Sequence, residues 1–240
     1  MTLFYDARGN IYGVVNPAFL RSRGVGVPDS AALAASNREA WTASAIASEC
    51  GWGSLPRPAD AKAHRCDGLL VGPFQAEPPF DLLIVNTDGS LAERSGNGLT
   101  IFAQALTDQG LMTQGCELRV HHDKSDAASP VATSVEPARY GQVDGFWLAL
   151  GQPEFGPLAV GAVGVEPVRV EAHGFSRVDT LVAINPHWAC SQFVRVGNPH
   201  CVTLVDQVSA LPDNPSMHQP ALFLALQAVA FAPPVGSGQP

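Results

Sequence analysis

Short runs of apolar and β-branched residues, bounded by glycine, proline, asparagine or aspartate, recur along the chain as far as residue 205. Runs of this length and composition are typical of β-strands. The pattern predicts eight strands, at residues 3–6, 12–15, 69–71, 81–85, 117–121, 146–150, 192–196 and 201–205. Because helices do not alternate regularly with these strands, the pattern does not favour a doubly wound parallel sheet.

Three segments are predicted to be helical. The alanine-rich residues 30–49 follow a Pro-Asp-Ser start signal that ends at Ser30. A second helix begins after the Gly-Asn-Gly turn at residues 96–98, and apolar residues occupy most of its sides through residues 99–106. That distribution is typical of a helix buried inside a domain. The third predicted helix covers residues 220–231.

Two domains are expected from the distribution of turn-forming residues. Residues 123–139 are polar and turn-rich, and they follow a boundary placed near residues 118–122. We therefore expect an N-terminal domain at residues 1–119, with a central helix at about 97–109, and a C-terminal domain at residues 120–240. The last eight residues, 233–240, have the composition of a linker, so a following element is expected to be missing.

The composition of the chain argues against nucleic-acid-binding, membrane-spanning and secreted proteins. Of the 240 residues, 46% are hydrophobic and 15% are charged, which is enough apolar material for a buried core. The formal net charge of −8 gives no overall attraction to nucleic acid or to an anionic membrane. The longest apolar stretch, residues 221–232, is too short to span a bilayer, and the N-terminus has no signal-peptide pattern. A cytoplasmic protein without nucleic-acid or membrane partners is expected.

The five cysteines are odd in number, widely scattered and never spaced as C-x-x-C. Reduced thiols are therefore expected rather than a disulfide framework or a zinc ribbon. Adjacent residues on a strand point to opposite faces, so His121 and His122 do not form a metal site. No metal site is predicted.

The strongest local signal for chemistry is the segment NTDGSLAERSGNG, which runs from Asn86 to Gly98. A predicted strand ends in one turn, and a second turn opens the buried helix. The first N–H groups of a helix have no intrahelical partner and favour an anion. Residues 95–98 are therefore suited to hold a carboxylate, with Ser95 beside it. An ordinary serine N-cap followed by a glycine-rich turn explains the same residues, so both interpretations stay open.

Two further turns are candidates for binding. In the Gly-Asn-Pro-His turn at residues 197–200, Asn198 offers a donor and an acceptor to an amino acid, although a tight hairpin turn is the simpler interpretation. The Arg-Gly-Asn turn that ends at Asn10 is, by itself, a hairpin turn. A hydrolase triad of Ser95 and His200 is not supported, because no G-x-S-x-G motif surrounds the serine.

In their order and spacing, these segments resemble the diaminopimelate epimerase family. The family's N-x-D-G-S-x-x-x-x-C-G-N-G block is similar to residues 86–98, and its G-N-P-H turn is similar to residues 197–200. Its G-N-D-F turn is similar to residues 9–12, and its D-G/D-Q-L-L segment to residues 67–70. The resemblance covers residues 1–232. It implies an α+β fold of two pseudo-symmetric domains, each a curved and mostly antiparallel sheet around a central helix.

The resemblance also implies an activity. It is a cofactor-independent 1,1-proton transfer that converts LL- to meso-diaminopimelate for lysine and peptidoglycan precursors, with the amino acid between the two domains. Inversion needs proton transfer on opposite faces, which the family performs with two thiols. By position, Ser95 takes the place of the first catalytic cysteine. The implied substrate contacts are Asn10, Gly68, Asn86, Gly96, Asn97 and Asn198.

Two departures from the family pattern change these expectations. A serine hydroxyl is a far weaker acid than a thiol, so Ser95 implies impaired or altered proton transfer. The family's later segment, with its second catalytic cysteine and second central helix, does not occur before residue 240, so an incomplete second domain is expected. Uncovered apolar strand faces would favour association, and a homodimer is one arrangement that this allows.

Three functional hypotheses follow. The first is an amino-acid epimerase with impaired proton transfer. The second is another isomerase, racemase or dehydratase of the same superfamily. The third is a non-catalytic relative that binds a small molecule.

Overall fold

The computed structural model describes residues 1–213 except positions 8, 54, 60, 126, 163–165, 171, 172 and 197. For residues 166–170, 173 and 198 only the backbone is described. The predicted helix at residues 220–231 and the predicted linker at residues 233–240 lie outside the described residues. The chain divides into two compact units, Met1–Leu150 and Gly151–Pro240, and each is described by itself.

The first unit is built on an eight-stranded mixed sheet. Its strands are β1 Leu3–Ala7, β2 Asn10–Val15, β3 Gly68–Val71, β4 Phe80–Asn86, β5 Leu91–Ala92, β6 Cys116–Val120, β7 Val131–Tyr140 and β8 Val143–Leu148. The order is β1-β2-β3-β4-β6-β7-β8, with β5 paired to β4. The β2–β3 and β4–β6 pairs are parallel, and the other pairs are antiparallel.

Helices cover both faces of the central strands. Successive strand residues point to opposite faces, so Leu82 and Ile84 of β4 pack with helix α4 (Gly96–Asp108), while Leu83 and Val85 pack on the other side. That other side is covered by α1 Pro17–Ser22, α2 Ala31–Ser36 and α3 Thr42–Glu49. Burial on both faces explains why β3 and β4 are continuous apolar runs.

Helix α4 is the buried helix that the sequence predicts. Leu99, Phe102 and Leu106 are fully buried, in one hydrophobic cluster with residues of β2, β3, β4 and β6. Full burial of such a side chain contributes roughly 1.5–3 kcal/mol. The helix is therefore held mainly by its apolar contacts, and its first turn lies beside the ends of the strands that carry the candidate residues.

The single helix predicted at residues 30–49 is wrong in its middle, where α2 and α3 are separated by a 3₁₀ turn at Arg38–Ala40. Ser30 caps α2 as predicted, and its hydroxyl accepts from the Leu33 amide at 3.3 Å. The Asn37 side chain donates to the Leu33 carbonyl at 2.9 Å, and the buried Trp41 indole donates to the Ala34 carbonyl at 2.9 Å. These side-chain bonds compete with helical backbone bonds and end α2.

All eight predicted strands are confirmed, but the turn-rich prediction for residues 123–139 is wrong from Val131 onward. There β7 alternates between buried Thr133 and Val135 and exposed neighbours, so its exposed polar residues gave it the composition of a loop. β7 pairs with β6 and β8 pairs with β7. The first compact unit therefore extends to Leu150, past the boundary expected near residue 119.

The second unit contains a smaller antiparallel sheet. Its strands are β9 Glu154–Phe155, β10 Glu166–Val170, β11 His173–Arg177, β12 Cys190–Val196 and β13 Asn198–Leu204, and β9 pairs with β12. Its one α-helix within residues 151–213 is the six-residue α5, Asp179–Ile184. The two sheets and their helices make an α+β fold of the expected kind, and the described second unit has no long central helix.

Within the described ranges, no helix is long and apolar enough to cross a membrane. The same ranges hold no cluster of three or more His, Cys, Asp or Glu side chains arranged to bind a metal ion.

Candidate functional site

The candidate site begins at the first turn of α4. The Ser95 hydroxyl accepts a hydrogen bond from the Gly98 amide at 3.1 Å, and its carbonyl accepts from the Leu99 amide at 2.8 Å. Because the first amides of a helix have no partner inside it, those of Gly96 and Asn97 are left to bind an anion. The N-cap interpretation of Ser95 is confirmed, and carboxylate binding at the amides beside it stays a prediction.

A polar cluster joins the start of β2 to this turn. The Asn97 side-chain amide donates to the Asn10 side-chain oxygen at 3.4 Å. Asn10 in turn donates to the Asp67 carboxylate at 3.2 Å, and the Ile11 amide donates to the same carboxylate oxygen at 2.8 Å. Asp67, which precedes β3, therefore fixes the position of Asn10, and Asn10 is held against the first turn of α4.

Asp67 keeps its negative charge. Burial works to raise the pKa of this carboxyl, but hydrogen bonds from Lys62, the Ile11 amide and Asn10 outweigh burial and lower the pKa. The Lys62 ammonium lies 2.5 Å from the second carboxylate oxygen. All of these contacts orient Asp67 towards its own neighbours, so Asp67 acts as a positioning group rather than a proton acceptor.

Tyr12 is a candidate residue that sequence reasoning missed. Its side chain is only 7% exposed, and its hydroxyl hydrogen-bonds with Ser95. Burial raises the pKa of Tyr12, the Ser95 hydrogen bond lowers it by less, and the charge of Asp67 raises it further. An aromatic residue in a buried strand is usually explained by packing. The signal that could have identified Tyr12 is its hydroxyl, at the place where the family motif has phenylalanine.

In the sheet, Gly68 of β3 pairs with Tyr12 of β2 on one side and with Asn86 of β4 on the other. A Cβ at Gly68 would lie 2.5 Å from the Val85 carbonyl oxygen and 3.1 Å from the Tyr12 ring. The close approach of these strands requires glycine here. This packing role accounts for Gly68 without any substrate, and its predicted substrate contact stays a prediction.

Asn86 ends β4 and organises the turn that follows. Its side chain donates to the Ser90 hydroxyl at 3.0 Å, and its backbone carbonyl accepts from the Gly89 amide at 2.9 Å. Ser90 donates from both its amide and its hydroxyl to Asp88, which lowers the pKa of that carboxyl. The side chain of Asn86 is thus engaged within its own turn.

Asn198 and His200 belong to the second unit. The backbone of Asn198 begins β13 and pairs with Val196 of β12, while its side chain and Gly197 lie outside the description. The turn predicted at residues 197–200 is wrong for its last three residues, because Asn198, Pro199 and His200 begin β13 and pair antiparallel with β12. The predicted substrate contact of Asn198 stays a prediction.

The surroundings of two further thiols, Cys116 and Cys201, do not activate them. Burial raises the pKa of Cys116, and the negative charge of Glu136 raises it further. Burial also raises the pKa of Cys201, against weaker lowering by Ser191 and Thr203. A raised pKa keeps a thiol protonated and weakly nucleophilic at neutral pH.

Two described cavities of the first unit lie away from this cluster. A cavity of about 340 Å³ is lined by residues that include Asn16, Arg21 and Phe74. Another of about 660 Å³ lies between the C-terminal half of α4 and the β7–β8 hairpin, beside Gln104 and Phe146. Neither contains Ser95 or Asn10, so the candidate site is defined by its polar groups and not by either cavity.

No family model matches the chain. Similar curated proteins do exist. Over 155 residues the chain is 33% identical to diaminopimelate epimerase of Halorhodospira halophila, covering 61% of this chain and 45% of that protein. Over 160 residues it is 32% identical to the diaminopimelate epimerase of Cupriavidus necator, covering 65% of this chain and 51% of that protein.

A third relative, diaminopimelate epimerase of Moorella thermoacetica, is 28% identical over 168 residues, which cover 67% of this chain and 54% of that protein. The chain thus spans about half the length of the curated relatives it matches. The independent resemblance of the ordered motifs and the α+β architecture agree with these matches. The chain is therefore similar, over about 60% of its length, to proteins of the diaminopimelate epimerase family.

Proposed function

We propose that this chain binds a small amino acid through its α-carboxylate at the first turn of α4 and exchanges the proton on its α-carbon without a cofactor. The observation that supports this proposal is that the amides of Gly96 and Asn97 lie beside the chain of hydrogen bonds that joins Asn97, Asn10 and Asp67. The relatives named diaminopimelate epimerase make a diamino diacid the first substrate to test.

Proton transfer by this chain is proposed to be slow. A proton acceptor must be deprotonated at neutral pH. The Ser95 hydroxyl already accepts from the Gly98 amide and hydrogen-bonds with Tyr12, whose own pKa is raised. Neither hydroxyl is therefore a ready base, and the pair can polarise a bound substrate more readily than it can remove a proton.

A second candidate function follows from the same observation. Because carboxylate binding needs the amides of α4 and not a thiolate, a non-catalytic relative that only binds the amino acid would keep the described contacts. Another isomerase or dehydratase of the superfamily would instead use the Ser95–Tyr12 pair to polarise a different substrate. Binding and exchange must therefore be measured separately.

The test is α-hydrogen exchange of diaminopimelate in D₂O, followed by proton NMR, together with calorimetric binding. We expect binding with weak exchange by the wild type and faster exchange by Ser95→Cys. Ser30→Cys is the matched control, because Ser30 also caps a helix but lies at α2. Rapid wild-type exchange would contradict the slow transfer, and absence of binding would contradict the proposed function.

A further inference from the structure

Two thiols that the proposed function does not use lie against each other. Cys50, which ends α3, and Cys66, which lies two residues before β3, are brought together by the backbone, because the Arg65 amide donates to the Cys50 carbonyl at 3.0 Å. They are 0% and 2% exposed and belong to the same hydrophobic cluster. Because 15 residues separate them in the sequence, the two cysteines are close because of the fold and not because of their spacing.

The backbone holds the two cysteines in place. The Arg65 amide donates to the Cys50 carbonyl at 3.0 Å. The Arg65 guanidinium donates to the Glu49 carbonyl through two nitrogens, at 3.3 Å and 3.0 Å. Arg65 is thus hydrogen-bonded to both Cys50 and Glu49. These bonds hold the backbone at Cys66 next to the end of α3.

The two thiols differ in acidity. The hydrogen bond from Cys50 lowers the pKa of Cys66, and the amides of Gly68 and Gly13 and the charge of Arg65 lower it further against the effect of burial. The hydrogen bond to Cys66 and burial raise the pKa of Cys50. Cys66 is therefore the more acidic of the two sulfurs and the better nucleophile, and Cys50 is the less acidic.

We propose that Cys50 and Cys66 are an oxidisable dithiol that a small peroxide converts into an intramolecular disulfide. The Cys66 sulfur attacks one peroxide oxygen, the O–O bond breaks, and hydroxide leaves and takes up a proton to form water. The sulfur of Cys50 then attacks the resulting sulfenic sulfur of Cys66. The S–O bond breaks, and the departing hydroxide takes the Cys50 proton. The pair is oxidised by two electrons, and one hydrogen peroxide becomes two waters.

The position of the pair links it to the candidate site. Cys66 directly precedes Asp67, which holds Asn10, and its sulfur accepts from the Gly68 amide at the start of β3. A disulfide would change the charge and position of the Cys66 sulfur, next to the residue that holds Asn10. Burial also limits which oxidant can reach the two sulfurs, since Cys50 and Cys66 are 0% and 2% exposed. Hydrogen peroxide is small enough to reach them, whereas glutathione disulfide is much larger.

The experiment treats the reduced 240-residue chain with hydrogen peroxide, alkylates the remaining thiols after unfolding, and maps tryptic peptides by mass spectrometry. Cleavage predicts a disulfide-linked pair of peptides, residues 39–62 with residues 66–94, that dithiothreitol separates. Two of the five thiols should be lost, and the other three should still be alkylated. This test uses the wild-type protein, so its result does not depend on whether any variant folds.

The variants locate the chemistry. Cys66→Ser should abolish the linked peptides and slow peroxide consumption, whereas the control Cys116→Ser should leave both unchanged. The proposal would be overturned if peroxide oxidised Cys116, Cys190 or Cys201 while Cys50 and Cys66 could still be alkylated. So would oxidation of Cys66 to a sulfinic acid with Cys50 still free.

Discussion

The hydroxyl of Tyr12 gives the candidate site a feature that the family motif does not contain. It stands in a buried strand, hydrogen-bonded to Ser95, and the charge of Asp67 acts on it. The Ser95 hydroxyl caps α4, and the Tyr12 hydroxyl lies beside it. At the scale of single residues, slow proton transfer at this site depends on Tyr12 staying protonated.

Its titration can be measured as a dependence of stability on pH. Because folding raises the pKa of Tyr12, the native state holds this proton more tightly than the unfolded chain does. The stabilising contribution is complete below the ordinary tyrosine pKa of about 10 and is lost as pH rises through the raised value. The unfolding free energy of the wild type should therefore fall, relative to Tyr12→Phe, as pH rises above about 10.

Urea unfolding of the two proteins across this range provides the measurement. Parallel curves would mean that the phenol has the same pKa in the folded and unfolded chains. Tyr12→Phe keeps the ring that packs in the cluster and removes only the hydroxyl, so it is the appropriate comparison.

At the scale of elements, alternating or continuous apolar runs predicted the strands well. They failed where a tertiary contact decided the outcome. The break between α2 and α3 depends on the Trp41 indole reaching the Ala34 carbonyl, and helix propensity contains no signal for that bond. β7 was missed because half of its residues face away from the core, so polar side chains dominate its composition.

Where β3 pairs with β2 and β4, Gly68 leaves no room for a side chain, and this close approach gives a stability prediction. Gly68→Ala would place a Cβ 2.5 Å from the Val85 carbonyl oxygen, which a backbone atom cannot easily avoid. We expect a loss of about 1–3 kcal/mol of unfolding free energy, as for other overpacked positions.

Gly145→Ala is the matched control, since Gly145 also lies in a strand and a Cβ there has nothing within 4 Å. Its unfolding free energy in urea should change by less than about 0.5 kcal/mol. Equal effects of the two substitutions would show that the contact with Val85 does not limit residue size at position 68.

At the scale of the whole molecule, the first unit carries six of the seven predicted site residues, Ser95, Asn10, Gly68, Asn86, Gly96 and Asn97. Their proximity was predictable from the sequence only through the family resemblance, because residues 10, 68 and 95 are far apart along the chain. The resemblance could not predict how each residue is held. Asn86 and Gly68 have structural roles within the unit. In the first turn of α4, the Gly98 amide donates to Ser95, and the amides of Gly96 and Asn97, which come before it, have no acceptor inside the helix.

The most direct test of the central claim is a ¹H–¹⁵N NMR titration of the 240-residue chain with diaminopimelate. The account predicts that the backbone amides of Gly96 and Asn97, and the side-chain amide of Asn10, shift with a common saturation curve. Shifts confined to other parts of the chain, with these three signals unmoved at saturation, would contradict carboxylate binding at the start of α4.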